Sequence, residues 1–212
     1  MRLEVRILPW LLCAFSFWAP RAQGQTALPT HPDNVTGQFD NGLKYIVQSR
    51  AGGSSRVVVH LHVKTGSLNE GEDQSGLAHF VTHMGFAGSE HFAPGKIVER
   101  LRSLGVRQPG PHKNAVVKHR ETVYQLNGLR TDEGTIEEVL TMLADFAHGL
   151  HFQQEEIDKQ REAILDELRS ESNADARIMK AMMARVFEGT RLARHTVGGR
   201  QEHIQRLAKA DL

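Results

Sequence analysis

The sequence of 212 residues has one cysteine, few aromatic side chains and almost no net charge. The cysteine, Cys13, lies in a short apolar run at the N-terminus, so the rest of the chain has neither a disulfide framework nor a catalytic thiol. A formal net charge of +1 gives no electrostatic footprint for binding nucleic acid. The apolar run contains Pro9 and is shorter than the about 20 helical residues that span a bilayer.

The N-terminus has the composition of an export signal. Arg2 and Arg6 provide a positive region, residues 7–19 are apolar, and residues 22–24 include small side chains suited to cleavage. We predict that residues 1–24 are a signal peptide and that the protein is exported, to the periplasm or as a secreted protein. No membrane segment is expected after cleavage; an uncleaved anchor is the alternative.

The remaining length suits about one domain, and 40% hydrophobic with 24% charged residues is ordinary for a globular protein. Residues 25–37 contain Pro29, Pro32 and Asn34 and are predicted to be a linker. The domain itself is predicted to occupy residues 38–212.

Local patterns predict strands and helices in a mixed order. Asp40-Asn41-Gly42 between apolar stretches is typical of a hairpin turn, and the alternation over residues 56–63 predicts a strand with one apolar face. Further strands are predicted at 114–118 and 121–129, and helices from Ser75 and Pro94 and at 135–150, 154–172, 175–188 and 201–207. This order indicates the α+β class, a single domain in which an antiparallel sheet is packed by helices on one face.

One predicted helix, at residues 175–188, has an apolar stripe that includes several methionines. We interpret the stripe as buried packing rather than as a cofactor site, because methionine fills irregular gaps in cores. Its members are Ile178, Met179, Met182, Met183 and Val186.

The main chemical signal is a pair of histidines, His79 and His83. Side chains four residues apart lie on one face of a helix, close enough to hold one metal ion. Among 12 histidines such a pair also arises by chance, so the spacing alone proves nothing. His60 and His62, on the polar face of the strand at 56–63, are interpreted as ordinary strand residues.

A catalytic zinc site needs a third protein ligand, normally from a different element. The predicted helix at 154–172 offers Glu162, Asp166 and Glu167. Spacing does not choose among them, and each taken alone is a typical solvated helix carboxylate.

Several segments together resemble the pitrilysin/insulinase family, the inverted zinc peptidases (inverzincins) whose motif is His-x-x-Glu-His. Residues 76–89 resemble the metal-binding helix of the family, with Gly-Leu-Ala-His-Phe-x-x-His-Met-x-Phe-x-Gly-Ser. Asn41-Gly42-Leu43, Thr65-Gly66-Ser67-Leu68, Glu121-Thr122-Val123-Tyr124 and the segment from Arg161 to Glu167 are similar to other parts of its first domain. The chain is identified as a member over residues 38–212, which implies the family's α/β roll.

The resemblance implies a role for individual residues. His79 and His83 match the two histidine ligands of one zinc ion, and Glu167 matches the distal glutamate ligand. Gln160 stands where the family has a supporting glutamate. Thr82 stands in place of the motif glutamate, which is the general base.

The resemblance also implies a peptide or protein substrate. Asn114 and Ala115 match the start of a family strand that lies along the bound peptide. The strand continues here as Val116-Val117-Lys118, so the tyrosine and threonine of the family are absent.

Threonine at position 82 is expected to impair hydrolysis, because its hydroxyl does not accept a proton at any working pH. Loss of a general base costs typically ~10²–10⁴ in rate, or roughly 3–5 kcal/mol of barrier. Zinc binding is expected to persist, since the missing glutamate is not a ligand. We therefore expect an exported, zinc-binding, catalytically impaired peptidase-like domain, or pseudoenzyme.

Two alternatives remain open at this stage. An active zinc endopeptidase would need another carboxylate, such as Glu72 or Glu121, at the water; a metal-free interaction domain would need neither metal nor base. The family builds its chamber from several domains, whereas this chain contains the first. A second chain supplying the remaining domains is therefore a possible partner, and a relic or fragment is the alternative.

Overall fold

The computed structural model describes residues 31–49, 52 and 55–212. The chain divides into two compact units, Met1–Gly53 and Ser54–Leu212. The predicted signal peptide lies outside the described residues. No helix in the described part of the chain is long and apolar enough to cross a membrane.

In the first unit the described residues form a β-hairpin. Strands β1 (Asn34–Gln38) and β2 (Lys44–Gln48) pair antiparallel around the turn predicted at Asn41-Gly42. Gly42 has φ +87°, and the backbone N–H of Leu43 donates to the Asn41 side chain at 3.0 Å. Strand β1 occupies part of the predicted linker, because its ladder with β2 orders backbone that the proline and asparagine content had suggested was irregular.

The second unit contains a three-stranded antiparallel sheet in the order β3-β5-β4. Its strands are β3 (Arg56–Val63), β4 (Ala115–Val117) and β5 (Thr122–Arg130). Gly128, with φ +81°, is the extra residue at an irregularity in the pairing of β3 with β5. In the order β3-β5-β4, strand β4 lies at an edge, and no described strand pairs with its other side.

Helices supply the rest of the second unit. They are α1 (Leu77–Met84), α2 (Lys96–Ser103), α3 (Pro111–Asn114), α4 (Glu133–His148), α5 (Gln154–Ser170), α6 (Ala174–Val186), α7 (Arg191–Arg194) and α8 (Gln201–Ile204). Helix α2 begins after Pro94 because Gly95 has φ +78°, a left-handed conformation that cannot continue a helix. Asp132 and Asn173 cap α4 and α6 by accepting from backbone N–H groups.

Two apolar cores hold this unit together. The first lies between one face of the sheet and helices α2 and α4, and the second lies among α1, α5 and α8. The alternation predicted for β3 is present: Val57, Val59 and Leu61 pack toward the first core, whereas Val58 is 60% exposed. The α+β class with an antiparallel sheet packed by helices is confirmed.

Helix α6 differs from the prediction, since none of its residues is buried. Ile178 and Val186 are each 66% exposed, and Met179 and Met182 are about half exposed. The interpretation of this stripe as buried packing is wrong. Periodicity shows which side chains share a face, but it does not show whether a neighbour covers that face.

Candidate metal centre

Helix α1 carries the two histidines one turn apart on one face. Phe80 and Met84 are fully buried in the second core and fix the helix there. The rings of His79 and His83 meet edge to face, with their centroids 4.9 Å apart. The packing of the apolar side chains therefore sets the direction in which both imidazoles point.

Glu70, in the loop before α1, holds the N-terminus of that helix. Its carboxylate accepts hydrogen bonds from the backbone N–H of Gly76 at 3.0 Å and of Ala78 at 2.9 Å. Gly76 has φ +105° and no side chain with which to cap the helix, so Glu70 takes that role. Burial raises the pKa of Glu70, and the two backbone donors oppose that rise. Sequence reasoning noted an acidic loop here but missed this contact.

The Nδ1 atom of each ring lies within hydrogen-bond distance of an oxygen atom. Nδ1 of His79 lies 3.3 Å from the carbonyl oxygen of Gly198, and Nδ1 of His83 lies 3.3 Å from Oε1 of Gln160. Because a backbone carbonyl can only accept, Nδ1 of His79 carries the hydrogen, and the Gln160 amide oxygen favours the same tautomer in His83. In the neutral ring Nε2 then has a free lone pair, as a metal ligand requires.

Glu167, two turns after Gln160 on α5, faces both rings. Its Oε2 lies 3.4 Å from Nε2 of His79 and 3.6 Å from Nε2 of His83. Tetrahedral zinc with bonds of about 2.0–2.1 Å places its ligand atoms about 3.3 Å apart. Oε2 is buried, and no described residue donates a hydrogen bond to it. The three side chains therefore fit a zinc ion.

The charges of these groups are strongly coupled. Burial alone would raise the pKa of Glu167, but His79 and His83 outweigh it and hold that pKa far below its usual range. Burial opposes protonation of His79, yet the Glu167 carboxylate raises its pKa. The pKa of His83 is lowered, first by burial and then by the nearby charges of His79 and His112. Glu167 is thus an ionised carboxylate, the form in which it could bind a metal ion.

The other carboxylates named from the sequence lie in different surroundings. Glu162 and Asp166 are exposed on α5, and Asp166 pairs with Arg169. Glu121 pairs with Lys118. Glu72 pairs with two arginines, Arg191 and Arg194.

Thr82 is buried, and its hydroxyl is engaged within its own helix. Oγ1 donates to the carbonyl oxygen of His79 at 2.6 Å. This back-bonding is the usual arrangement of threonine inside a helix. Thr82, which the family resemblance predicts to stand at the general-base position, therefore lacks both basicity and a free hydroxyl hydrogen.

Asn114 and Ala115 lie where α3 leads into β4. The Asn114 side chain is buried; it accepts from the Gly110 N–H at 3.0 Å and donates to the Gln125 carbonyl at 3.0 Å. Its amide therefore ties α3 to β5. Ala115 begins the edge strand, and helix α1 packs beside that strand.

His112, which the sequence reasoning did not single out, also faces this cluster. Its Nδ1 lies 3.2 Å from Oε1 of Glu167, and its ring centroid lies 5.0 Å from that of His83. The side chain is about half exposed. The only signal in the sequence was its position close to Asn114.

A second group of metal-ligating residue types lies elsewhere in the unit. Glu90, His91 and Asp145 bring one potential ligand atom each within 4.8 Å of one another. Asp145 is buried and accepts from the Ser89 hydroxyl at 2.6 Å, the His91 backbone N–H at 3.0 Å and the His91 ring at 2.8 Å. Its oxygens are therefore already satisfied.

Comparison with known proteins decides the family. Residues 45–200 match the profile described as Insulinase (Peptidase family M16). The chain belongs to this family. The resemblance predicted from the histidine segment and its neighbours is confirmed, and with it the fold of the metallopeptidase domain.

Individual relatives are much longer than this chain. It is 34% identical over 173 residues to the probable zinc protease PqqL of Escherichia coli (strain K12), which covers 81% of this chain and 18% of PqqL. It is 31% identical over 188 residues to subunit 1 of the mitochondrial cytochrome b-c1 complex of Bos taurus, covering 88% of this chain and 37% of that subunit. The solved first half of periplasmic PqqL from Escherichia coli matches with a TM-score of 0.79 and 29% identity, over 88% of this chain and 40% of that chain. The chain therefore spans less than half the length of these proteins.

Proposed function

We propose that this member of the insulinase family is an exported domain that binds one zinc ion through His79, His83 and Glu167. Hydrolysis of peptides by it is impaired, because Thr82 replaces the general base. The proposal depends above all on one observation: a buried carboxylate oxygen of Glu167, to which no residue in the described part of the chain donates a hydrogen bond, faces two Nε2 atoms at 3.4 and 3.6 Å.

When bound, zinc supplies Lewis-acid polarisation of a carbonyl or a water molecule. The residues of the chain bind and orient: Gly198 and Gln160 fix the ring tautomers, and Glu70 fixes the helix. Proton transfer to and from the reacting groups has no evident agent, because the Thr82 hydroxyl is already donated to a backbone carbonyl at 2.6 Å. The name of the relative PqqL, a probable zinc protease, supports zinc as the metal.

The substrate is proposed to be a peptide or protein segment in extended conformation. The free edge of β4, beginning at Ala115, would accept it as an added strand close to α1. Asn114 would act by holding this edge, since its own amide is used inside the fold. Export is supported by the basic and apolar N-terminus and by the periplasmic location stated for PqqL.

A second candidate function is that of an interaction subunit without catalysis, completed by a second chain. The exposed stripe on α6 favours it, because four of its five side chains, all but Met183, are about half exposed or more. A relative at 31% identity is named as a subunit of the cytochrome b-c1 complex.

Zinc content and peptide cleavage by the purified chain test the proposal. We expect one zinc per chain in the wild type and in Thr82→Glu, and none in His79→Ala. Thr82→Val, which keeps the shape and loses the hydroxyl, is the matched control and should retain zinc. Chelator-sensitive cleavage of a peptide library by the wild type would contradict impairment, and a wild type that takes up no zinc would favour the interaction subunit.

A further inference from the structure

The two oxygens of the Glu167 carboxylate have different neighbours. Oε2 faces Nε2 of His79 and of His83, whereas Oε1 faces Nδ1 of His112 at 3.2 Å. Three imidazoles therefore surround one carboxylate, and two of them belong to α1 while the third comes from α3.

We propose that His112 is a positioning residue that holds Glu167 for the metal. Its Nδ1 lies 3.2 Å from Oε1, and this contact keeps Oε2 turned toward the two α1 histidines. This inference rests on the proposed function, since it requires Glu167 to be a zinc ligand. It does not require His112 to touch the metal.

A glutamate side chain needs such support because it has several rotatable bonds. Outer partners that orient a ligand are typically worth 10–100-fold in metal affinity. His79 and His83 each have one, in Gly198 and Gln160. His112 gives the third ligand the equivalent partner, from an element that is neither α1 nor α5.

The backbone under His112 is well fixed for this role. Helix α3 begins at Pro111, and the fixed φ of proline suits the first position of a helix. The buried Asn114 amide ties the same short helix to Gln125 of β5 at 3.0 Å. The ring of His112 itself is about half exposed.

Zinc affinity of the full chain tests the role of His112. Competition with a chromophoric chelator is measured for the wild type, His112→Ala and His112→Asn; His148→Ala, an exposed histidine in the last turn of α4, is the matched control. We expect His112→Ala to bind zinc about 10-fold more weakly, at the low end of outer-partner effects. His112→Asn, whose amide N–H stands near the place of Nδ1, should restore most of the loss. The control should match the wild type.

Two further measurements separate positioning from other roles. The unfolding midpoint of the metal-free chain should be the same in His112→Ala and the wild type, because an exposed ring adds little to folding. The absorption spectrum of the cobalt-substituted chain should keep the same shape in both, because the ligand set is unchanged. A changed spectrum would make His112 a ligand itself and overturn positioning.

The outcomes also distinguish this inference from the proposed function. Equal zinc affinity in the wild type and His112→Ala would overturn the inference alone. A wild type that binds no zinc would overturn the proposed function, and the inference with it.

Discussion

Two clusters in the second unit contain the same kinds of metal-ligating side chains, yet their carboxylates differ. Asp145 is surrounded by three donors, from Ser89 and His91, at 2.6–3.0 Å. Glu167 is surrounded by imidazole nitrogens at 3.2–3.6 Å, and no described residue donates a hydrogen bond to its buried Oε2. One carboxylate is satisfied by the protein, and the other is not.

The difference shows that residue type and proximity do not define a metal site. A buried acceptor without a partner costs free energy, so it persists where something outside the protein satisfies it. Asp145 needs nothing further and pins the loop at residues 89–91 to α4. Oε2 of Glu167 has no such donor among the described residues, which suits its proposed role as a zinc ligand. Four experiments test this contrast.

The largest expected effect is on zinc binding by Glu167→Gln. Losing a ligand should weaken affinity by at least about 100-fold, beyond the usual effect of an outer partner. Glu90→Gln, the same exchange at an exposed carboxylate of the other cluster, should bind zinc like the wild type. Calorimetric titration measures both. Equal affinities in the two variants would erase the distinction between the clusters.

Asp145→Ala should have the largest effect on folding. It leaves the Ser89 hydroxyl, which is buried, and the His91 backbone N–H without their acceptor. At roughly 1–3 kcal/mol for a buried group left unpaired, the Ser89 hydroxyl alone should lower the free energy of unfolding by about 1–3 kcal/mol. Urea denaturation of the metal-free chain measures it. Zinc stoichiometry of the folded variant should stay the same, and its loss would show that the two clusters are coupled.

Glu70→Ala should act on the cluster of His79, His83 and Glu167 without removing a ligand. The backbone N–H groups of Gly76 and Ala78 lose their shared acceptor, which at helix N-termini costs about 0.5–2 kcal/mol. Zinc affinity should fall as well, because α1 carries both histidine ligands. Denaturation and zinc titration are compared with Glu70→Gln, which keeps one acceptor oxygen and should lose less. An unchanged affinity in Glu70→Ala would show that the helix start does not govern the site.

The smallest expected effect is the pH dependence of the stability that the pair of His91 and Asp145 provides. Asp145 raises the pKa of His91, so this pair stabilises the fold fully below the unfolded pKa, about 6.5, and loses that contribution as pH rises through the raised pKa. The difference in unfolding midpoint between the wild type and His91→Ala should therefore shrink from pH 6 to pH 9. Both are measured with chelator present. A difference that grows with pH would reverse the assigned sign.

Elements set by local sequence were predictable. Asn41-Gly42 specified a turn, the alternation around Val59 specified a strand face, and the spacing of His79 and His83 placed two rings together. The stripe on α6 was misjudged because burial depends on a neighbour, which periodicity does not encode.

Contacts made by folding were beyond the sequence pattern. His112 meets Glu167 across 55 residues of sequence, and Gly198 meets His79 across 119. Neither has a spacing that a linear pattern could reveal. The family resemblance favoured Glu167 over Glu162 and Asp166. In the structure, Glu167 is the one of the three that faces both histidines of α1.

The contact between Gly198 and His79 has a further consequence for tracing related chains. A peptide carbonyl orients the ring, and every amino acid carries one, so exchange at Gly198 keeps the acceptor. At Gly199, which has φ +87°, an added Cβ would lie 2.5 Å from the Gly76 Cα, so the backbone at one of the two glycines would have to shift. A comparison of related chains by the residues at positions 79, 83 and 167 alone would therefore overlook the close approach of Gly76 and Gly199, which lies next to the carbonyl that orients His79.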